Sequence, residues 1–322
     1  MINIFSLFYS DRFSSIAKPV NSNRKHSNHN DIYLKNAFLL QKSLADVGIH
    51  YAVITNDGKL FDDFFQKYGY KINYQVVCFS WKIPTNIKFY GAHFKLELFE
   101  KFGTGAFGEK ILLLDLDMIA TPKIKDLLTK LEDLKNNTLV YYNVASIEFD
   151  FQQKREHQNG VKIFTEKVIP PFFWAGGEFI FGSVDCFKNL SLACKNILPV
   201  YFSYCDRLPH VGDEMVVNVV FNQLKGSINL TEVGQLGLIN PVVRFWSAGT
   251  SVDLPGFDSF KDVCLFHLPA DKEFLSYQSS KDFNYKDILL NYRRLVFKKS
   301  LFRRIFYMFS NINSAKRYPP KL

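Results

Sequence analysis

Residues 109–121 read Glu-Lys-Ile-Leu-Leu-Leu-Asp-Leu-Asp-Met-Ile-Ala-Thr. Ile111 to Leu114 is an unbroken apolar run with charge on either side. A run that short, so bounded, predicts a strand buried on both faces. Such a strand ends where it leaves the core, and here it ends on Asp115 and Asp117. Alternate residues of an extended strand share a face, so the two carboxylates are expected to point the same way, with Leu116 turned inward. Like charges held side by side raise each other's pKa unless something neutralises them. A hard divalent cation with oxygen ligands, shared with phosphate, does this most simply. The alternative is an acidic strand end that solvates itself, since Asp is common where strands become loops.

Upstream, the chain alternates. Ile2–Phe8 reads as a strand, followed by a polar loop over residues 11–30. Asp31 is placed to cap a helix over Ile32–Val47. Ile49–Thr55 reads as a second strand, Lys59–Lys67 as a short helix and Ile72–Cys78 as a third strand. Gly91–Phe102 reads as a helix, with Phe94, Leu98 and Phe102 four residues apart. Strand, helix, strand repeated this way predicts an α/β fold with a mainly parallel sheet flanked by helices. Ligands of such sheets sit beyond the carboxyl ends of the strands. Tyr9, Asp11, Asn56 and Asp115–Asp117 would all lie along that edge.

The second half is less regular. Thr138–Ser146 predicts a strand, and the polar stretch Phe149–Gly160 a surface loop or helix. In the segment from Pro170 to Phe181, Gly176 and Gly177 allow either close approach of a ligand or a tight turn. Trp174 is placed to stack on a sugar ring or to fill the core. Glu178 opens an apolar strand, as a base in a cleft or a rim carboxylate. Asp213 stands where a helix cap belongs, Glu214 falls in the first turn, and Asn218 shares the face of Glu214. Val263–His267 is an apolar strand ending in a histidine, which is either a structural side chain or, in a chain that already offers two carboxylates, a third metal ligand.

The 322 residues carry a net charge of +9. From Lys286 onward there are ten Lys or Arg and one acid, Asp287, so residues 1–285 are neutral overall. Basicity confined to one end excludes a nucleic-acid-binding face spread over the fold. Basic pairs at Arg293-Arg294, Lys298-Lys299 and Arg303-Arg304 alternate with Phe, Leu and Ile. This pattern fits a helix on an anionic membrane surface. The pairs recur every five residues, however, which spreads them around a helix, so the alternative is a terminal helix packed on the domain. Five scattered cysteines with no paired spacing predict reduced thiols and a cytoplasmic protein, and the membrane reading of the tail would place it on the inner face of the cytoplasmic membrane. The amino terminus reads as a first strand and not a signal peptide, and no apolar run reaches membrane-spanning length. The expected organisation is one domain over residues 1–285, in two halves that meet near residue 120, and a basic aromatic tail over 286–322.

Taken in order, these motifs resemble a glycosyltransferase of the GT-A fold. They are a first-strand loop with Asp11, Thr55-Asn56-Asp57, a helix with Lys95-Leu96, the Asp115-Leu116-Asp117 strand, a glycine-bearing strand, an acidic helix and a late histidine. The pattern is similar to the family 8 type, which includes glycogenin and bacterial lipopolysaccharide galactosyltransferases. The resemblance implies a Rossmann-like mixed sheet and a divalent metal, Mn2+ or Mg2+, held by Asp115, Asp117 and His267. It implies nucleotide-sugar contacts from Tyr9, Asp11, Asn56, Lys95, Asp115, Gly176, Gly177 and Lys272. The Asp213 to Asn218 segment matches the family's acidic helix, with Glu214 where the family has Gln. Two departures stand out: Ala175-Gly176-Gly177 replaces Asn-Ser-Gly, and Lys272 lies closer to His267 than in the family's His-x-x-Gly-x-x-Lys.

The implied activity is transfer of a hexose from a nucleotide sugar, with UDP as the expected nucleotide, to a glycan or lipid-linked acceptor, as in surface polysaccharide or lipopolysaccharide synthesis. Glu214 would shield the anomeric carbon, or attack it, if configuration is retained. Glu178 or Asp213 would act as base if it is inverted. A haloacid dehalogenase-type phosphatase also carries such an acidic strand end, though near its amino terminus, and Gly212-Asp213 is similar to its late motif. An inactive, membrane-associated scaffold with a transferase fold is the non-enzymatic alternative.

Overall fold

The computed structural model describes residues 1–10, 27–145, 149–165, 170–245 and 262–315, with the backbone alone at 27–28 and 303–315. Asp11 lies outside the described residues.

Four of the expected strands form and pair in parallel. β1 (Ile2–Phe8) lies between β2 (Tyr51–Thr55) and β4 (Lys110–Leu114), and β3 (Tyr74–Val76) extends the sheet beyond β2. Ile111 to Leu114 are fully buried, as a strand covered on both faces requires. Beyond β4 the sheet becomes mixed. β7 (Ala175–Ser183) runs antiparallel to both β4 and β6 (Thr138–Asn143), and β8 (Asn229–Glu232) runs parallel to β6. The order is β3-β2-β1-β4-β7-β6-β8. A second sheet has the order β5-β10-β9. Its strands are β5 (Met118–Ala120), β9 (Val242–Arg244) and β10 (Leu265–His267).

Asp115-Leu116-Asp117 is therefore not a strand end but the turn that carries the chain from the large sheet into the small one. The Asp115 N–H still donates to the Glu178 carbonyl at 3.1 Å, and Leu116 is buried. The convergence of the two carboxylates comes from this turn and not from strand alternation.

The helices cover the sheets. α1 (Ser27–Ala45) starts upstream of Asp31, which is not its cap: the Asp31 carboxylate accepts from Lys67 Nζ and Tyr68 Oη, both at 2.7 Å. α2 (Gly58–Tyr68) is capped by Asp57, which accepts from the Leu60 N–H at 3.2 Å. The expected helix from Gly91 divides into a 3-10 turn, Tyr90–His93, and α3 (Phe94–Phe102), whose Phe94, Leu98 and Phe102 are buried as their spacing predicts. α4 (Ile124–Glu132) follows β5. α5 (Phe151–Lys162) takes the polar stretch and is held by a capping box between Asp150 and Gln153. α6 (Val184–Tyr204) packs beside α3, and α7 (Asp213–Leu224) lies against α6 and β7. Gly212 is the cap of α7, so Asp213 is its first helical residue and its carboxylate is left for other partners. α8 (Lys272–Gln278) packs on α1.

The last helix, α9 (Tyr285–Ala315), takes in most of the segment expected to be a separate tail. Ile288, Tyr292 and Val296 enter a second apolar cluster with Leu39, Ile119, Phe245 and Phe266. The Tyr292 hydroxyl donates to Asp271 at 2.9 Å, and Lys299 pairs with the same carboxylate. The first turns of the basic segment thus belong to the fold.

Candidate functional site

The carboxyl ends of β1, β2 and β4, the start of β7 and the end of β10 meet at one edge. Asn56 brackets the ends of β1 and β2: its Oδ1 accepts from the Ser10 N–H at 2.7 Å, and its Nδ2 donates to the Ser10 carbonyl at 2.9 Å. Both halves of that amide hold backbone. Tyr9 stacks flat on Phe94, with ring centroids 3.8 Å apart and planes within 5°.

Asp115, Asp117 and His267 each offer a ligand atom, and these atoms lie within 4.8 Å of one another. His267 Nε2 is 3.2 Å from Asp117 and 3.7 Å from Asp115. The antiparallel pairing of β10 with β5, with His267 opposite Met118, delivers the imidazole there. Two lysines complete the charge balance. Lys95 Nζ donates to Asp115 at 2.5 Å and to the Gly177 carbonyl at 3.1 Å, and lies 3.5 Å from Asp213. Lys272 Nζ is 2.5 Å from Asp117 and donates to the Pro269 carbonyl at 2.8 Å.

Burial opposes every charge here, and partners decide the outcome. Burial would raise the Asp117 carboxyl, but His267 and Lys272 outweigh it and hold the group far below the carboxylate range. Burial would lower His267, but Asp117 and Glu178 outweigh it and push the ring to about 9. Burial raises the Asp213 carboxyl, and Lys95 offsets only part of that rise.

Two oxygen donors and one imidazole suit a hard or borderline divalent ion. Asp115, Asp117 and His267 could together hold a divalent ion.

Glu214 sits beside this cluster. Its Oε1 accepts from the Gly177 N–H at 3.0 Å and from Arg244 Nη2 at 3.1 Å. Its Oε2 accepts from Trp174 Nε1 at 3.0 Å, and His210 Nε2 lies 3.8 Å away. Burial would raise Glu214, but Arg244 and His210 outweigh it and keep the carboxyl well below its usual range. Trp174 is fully buried, so of its two readings the core one holds, with its N–H committed to Glu214.

Three expectations take a different physical form. Glu178 does not open β7 but lies within it, fully buried and turned toward the small sheet, where no acceptor reaches it as a base. The space Gly176 provides is filled by protein, because a Cβ there would meet Glu178 Oε2 at 2.0 Å. A Cβ on Gly177 would lie 3.0 Å from Asp213 and 3.3 Å from Lys95 Nζ, so this glycine lets two helices close on the strand.

Arg244 and His210 escaped the sequence reading. Arg244 had a signal, a lone charge within Pro-Val-Val-Arg-Phe-Trp. His210 had none.

With the geometry established, comparison with solved structures is decisive for the fold. The galactosyltransferase LgtC, solved with donor and acceptor sugar analogues, superposes with a TM-score of 0.50 at 13% identity over 89% of this chain and 98% of that one. An active-site glutamine-to-glutamate mutant of LgtC gives 0.50 at 15% identity over 84% and 87%. The bifunctional glycosyltransferase WbbM gives 0.50 at 9% identity over 90% of this chain and 51% of that one. The chain has the GT-A fold. At such identities the likeness extends to the fold alone. No protein-family model matches the sequence, and no curated protein matches it. The GT-A fold is the expected mixed, mainly parallel sheet flanked by helices, and it displaces the phosphatase alternative.

Among the described residues Lys95 is the cation shared by Asp115 and Asp213, so Lys95→Met should destabilise the protein by about 3–5 kcal/mol, as loss of one partner from a buried pair does. Asp213 then rises further. A carboxyl raised by folding contributes stability below its unfolded pKa and loses it as pH increases. The deficit in urea unfolding should therefore be largest at neutral pH and smaller in mild acid. Equal deficits at both would contradict this assignment.

Proposed function

We propose that this chain is a metal-dependent glycosyltransferase that moves a hexose from a nucleotide sugar, UDP-linked, to a glycan or lipid-linked acceptor with retention of configuration. The observation that carries the reading is the convergence of Asp115, Asp117 and His267 at the carboxyl edge of β4, flanked by Lys95 and Lys272. A divalent ion held by Asp115, Asp117 and His267 would supply Lewis-acid stabilisation to a diphosphate leaving group. Lys95 and Lys272 add positive charge on either side of that group. Tyr9 gives the base an aromatic surface at the end of β1.

Glu214 supports retention. Both its oxygens are engaged by donors and its proton affinity is low, so it is a poor base and a restrained nucleophile. What it offers is a fixed negative charge next to an oxocarbenium-like centre. An inverting reaction needs a base facing the acceptor, and Glu178 is enclosed while Asp213 is paired with Lys95.

An acceptor has room on the other side of Arg244. A cavity of about 860 Å³ opens there, lined by Tyr141, Tyr142, Phe172, Phe173, Glu232 and Arg244. Its size is that of a small-molecule site. Flat aromatic walls with few charges suit the rings of a neutral glycan.

α9 supports a membrane-held acceptor and a peripheral position on the inner face of the cytoplasmic membrane. Opposite its packed face, Leu290, Phe297 and Leu301 are 46%, 68% and 47% exposed. Steps of seven and eleven residues return a helix to nearly the same side, so the three form one stripe. Lys286, Arg294 and Lys298 flank it, all exposed. Of the paired basic residues whose side chains are described, Lys299 turns to the core, while Arg293, Arg294 and Lys298 are exposed. Among the described residues no helix is long and apolar enough to cross a membrane.

Calorimetric titration with UDP-, GDP- and CMP-sugars, with and without Mn2+, tests the central reading. Metal-dependent binding of a UDP-sugar, lost in Asp117→Asn, is expected. A wild-type protein that binds no nucleotide sugar would sink it. For the membrane, Arg294→Gln with Lys298→Gln should weaken binding to phosphatidylserine vesicles by about 2 kcal/mol, at about 1 kcal/mol per basic residue. Unchanged partitioning of the double variant would rule out this face.

A further inference from the structure

Glu178 is a carboxylate that the proposed chemistry does not use, yet it is completely buried in the large sheet. Burying a charge is costly unless other charges compensate. Its Oε1 lies 3.2 Å from Arg244 Nε and 3.3 Å from His267 Nδ1. These are ion contacts and not aligned hydrogen bonds. The backbone is fitted to this carboxylate, because only a glycine at 176 leaves space for Oε2. Each partner reaches onward. His267 Nε2 faces Asp117 at 3.2 Å, and Arg244 Nη2 meets Glu214 at 3.1 Å. An unbroken series, Asp117, His267, Glu178, Arg244 and Glu214, thus joins the metal ligands to the carboxylate beside them.

We propose that Glu178 and Arg244 are positioning residues that lock the metal cluster and Glu214 into one unit. The Glu178 carboxylate, 3.3 Å from Nδ1, favours the proton on that nitrogen and leaves Nε2 facing the ion. Arg244 spans two carboxylates with two edges of one planar guanidinium, which a lysine's point charge does not reproduce. Glu178 touches no substrate, and Arg244, although it also lines the acceptor cavity, acts on the donor site only through its two carboxylate partners. The Glu214 half rests on the transferase reading, and the metal half rests on geometry alone.

The test measures Mn2+ affinity of the full chain by electron paramagnetic resonance, with no nucleotide sugar present. Glu178→Gln removes the buried charge. Gly176→Ala displaces the carboxylate while leaving every ionisable group in place. Each should weaken Mn2+ binding by about 10- to 100-fold, the usual effect of losing an outer partner of a ligand. If Glu178→Gln fails to fold, Glu178→Gln with Arg244→Met removes the charges together and is measured instead, with the same weakening expected. In donor hydrolysis, Arg244→Lys should lower kcat while KM for the donor holds, because Glu214 is misplaced and the metal site is not. Wild-type binding of Mn2+ with equal affinity in the Glu178 and Gly176 variants overturns the inference and leaves the transferase reading standing. Absence of Mn2+ binding by the wild type overturns both. A raised KM with kcat preserved in Arg244→Lys overturns the Arg244 half.

Discussion

The neutralisation of acidic groups that the fold delivers to one edge governs the rest of this structure. β4 is apolar from Ile111 to Leu114, and the chain leaves it through Asp115 and Asp117. β10 adds His267, β7 adds Glu178, and α7 adds Asp213 and Glu214. Five carboxylates in a confined space are stable only because Lys95, Lys272, Arg244 and His267 are interleaved among them. Each cation comes from a different element: α3, the start of α8, β9 and β10. The site is therefore also where the two sheets and their helices are tied together.

That arrangement explains why the small sheet matters. Strand β10 pairs with β5 in antiparallel and with β9 in parallel, which brings His267 and Arg244 to the same end. Without this sheet, β7 would present a buried carboxylate to nothing. With it, one side of β7 faces the metal cluster through Glu178, and the other faces Lys95 and Asp213 through Gly177. α9 closes the structure from behind, covering Phe245 and Phe266 with Ile288, Tyr292 and Val296 while leaving an apolar stripe outward.

Much of this was legible in the sequence, for reasons that differ by element. β1, β2 and β4 announce themselves as short apolar runs ending in polar residues, and α3 by its four-residue spacing. The antiparallel insertion of β7 was not legible, because alternation and apolarity do not encode strand direction. Asp31 looked like a cap because local sequence does not say that the helix continues upstream, and its carboxylate is instead claimed by α2. The Asp115–Asp117 pair was found with the wrong local geometry, a strand instead of a turn between sheets. Gly176 was noticed as open space, but its occupant, Glu178, is set by contacts with strands far away in sequence. Arg244 could have been flagged as a charge in an apolar run, while its two carboxylate partners needed the fold.

The central claim is that Asp115, Asp117 and His267 form a metal site shared with a nucleoside diphosphate. Crystals of the full chain grown with Mn2+ and UDP, measured at the manganese absorption edge, test it directly. A single anomalous peak bounded by those three side chains and the diphosphate is predicted. No peak, or a peak held by other residues, would contradict the account.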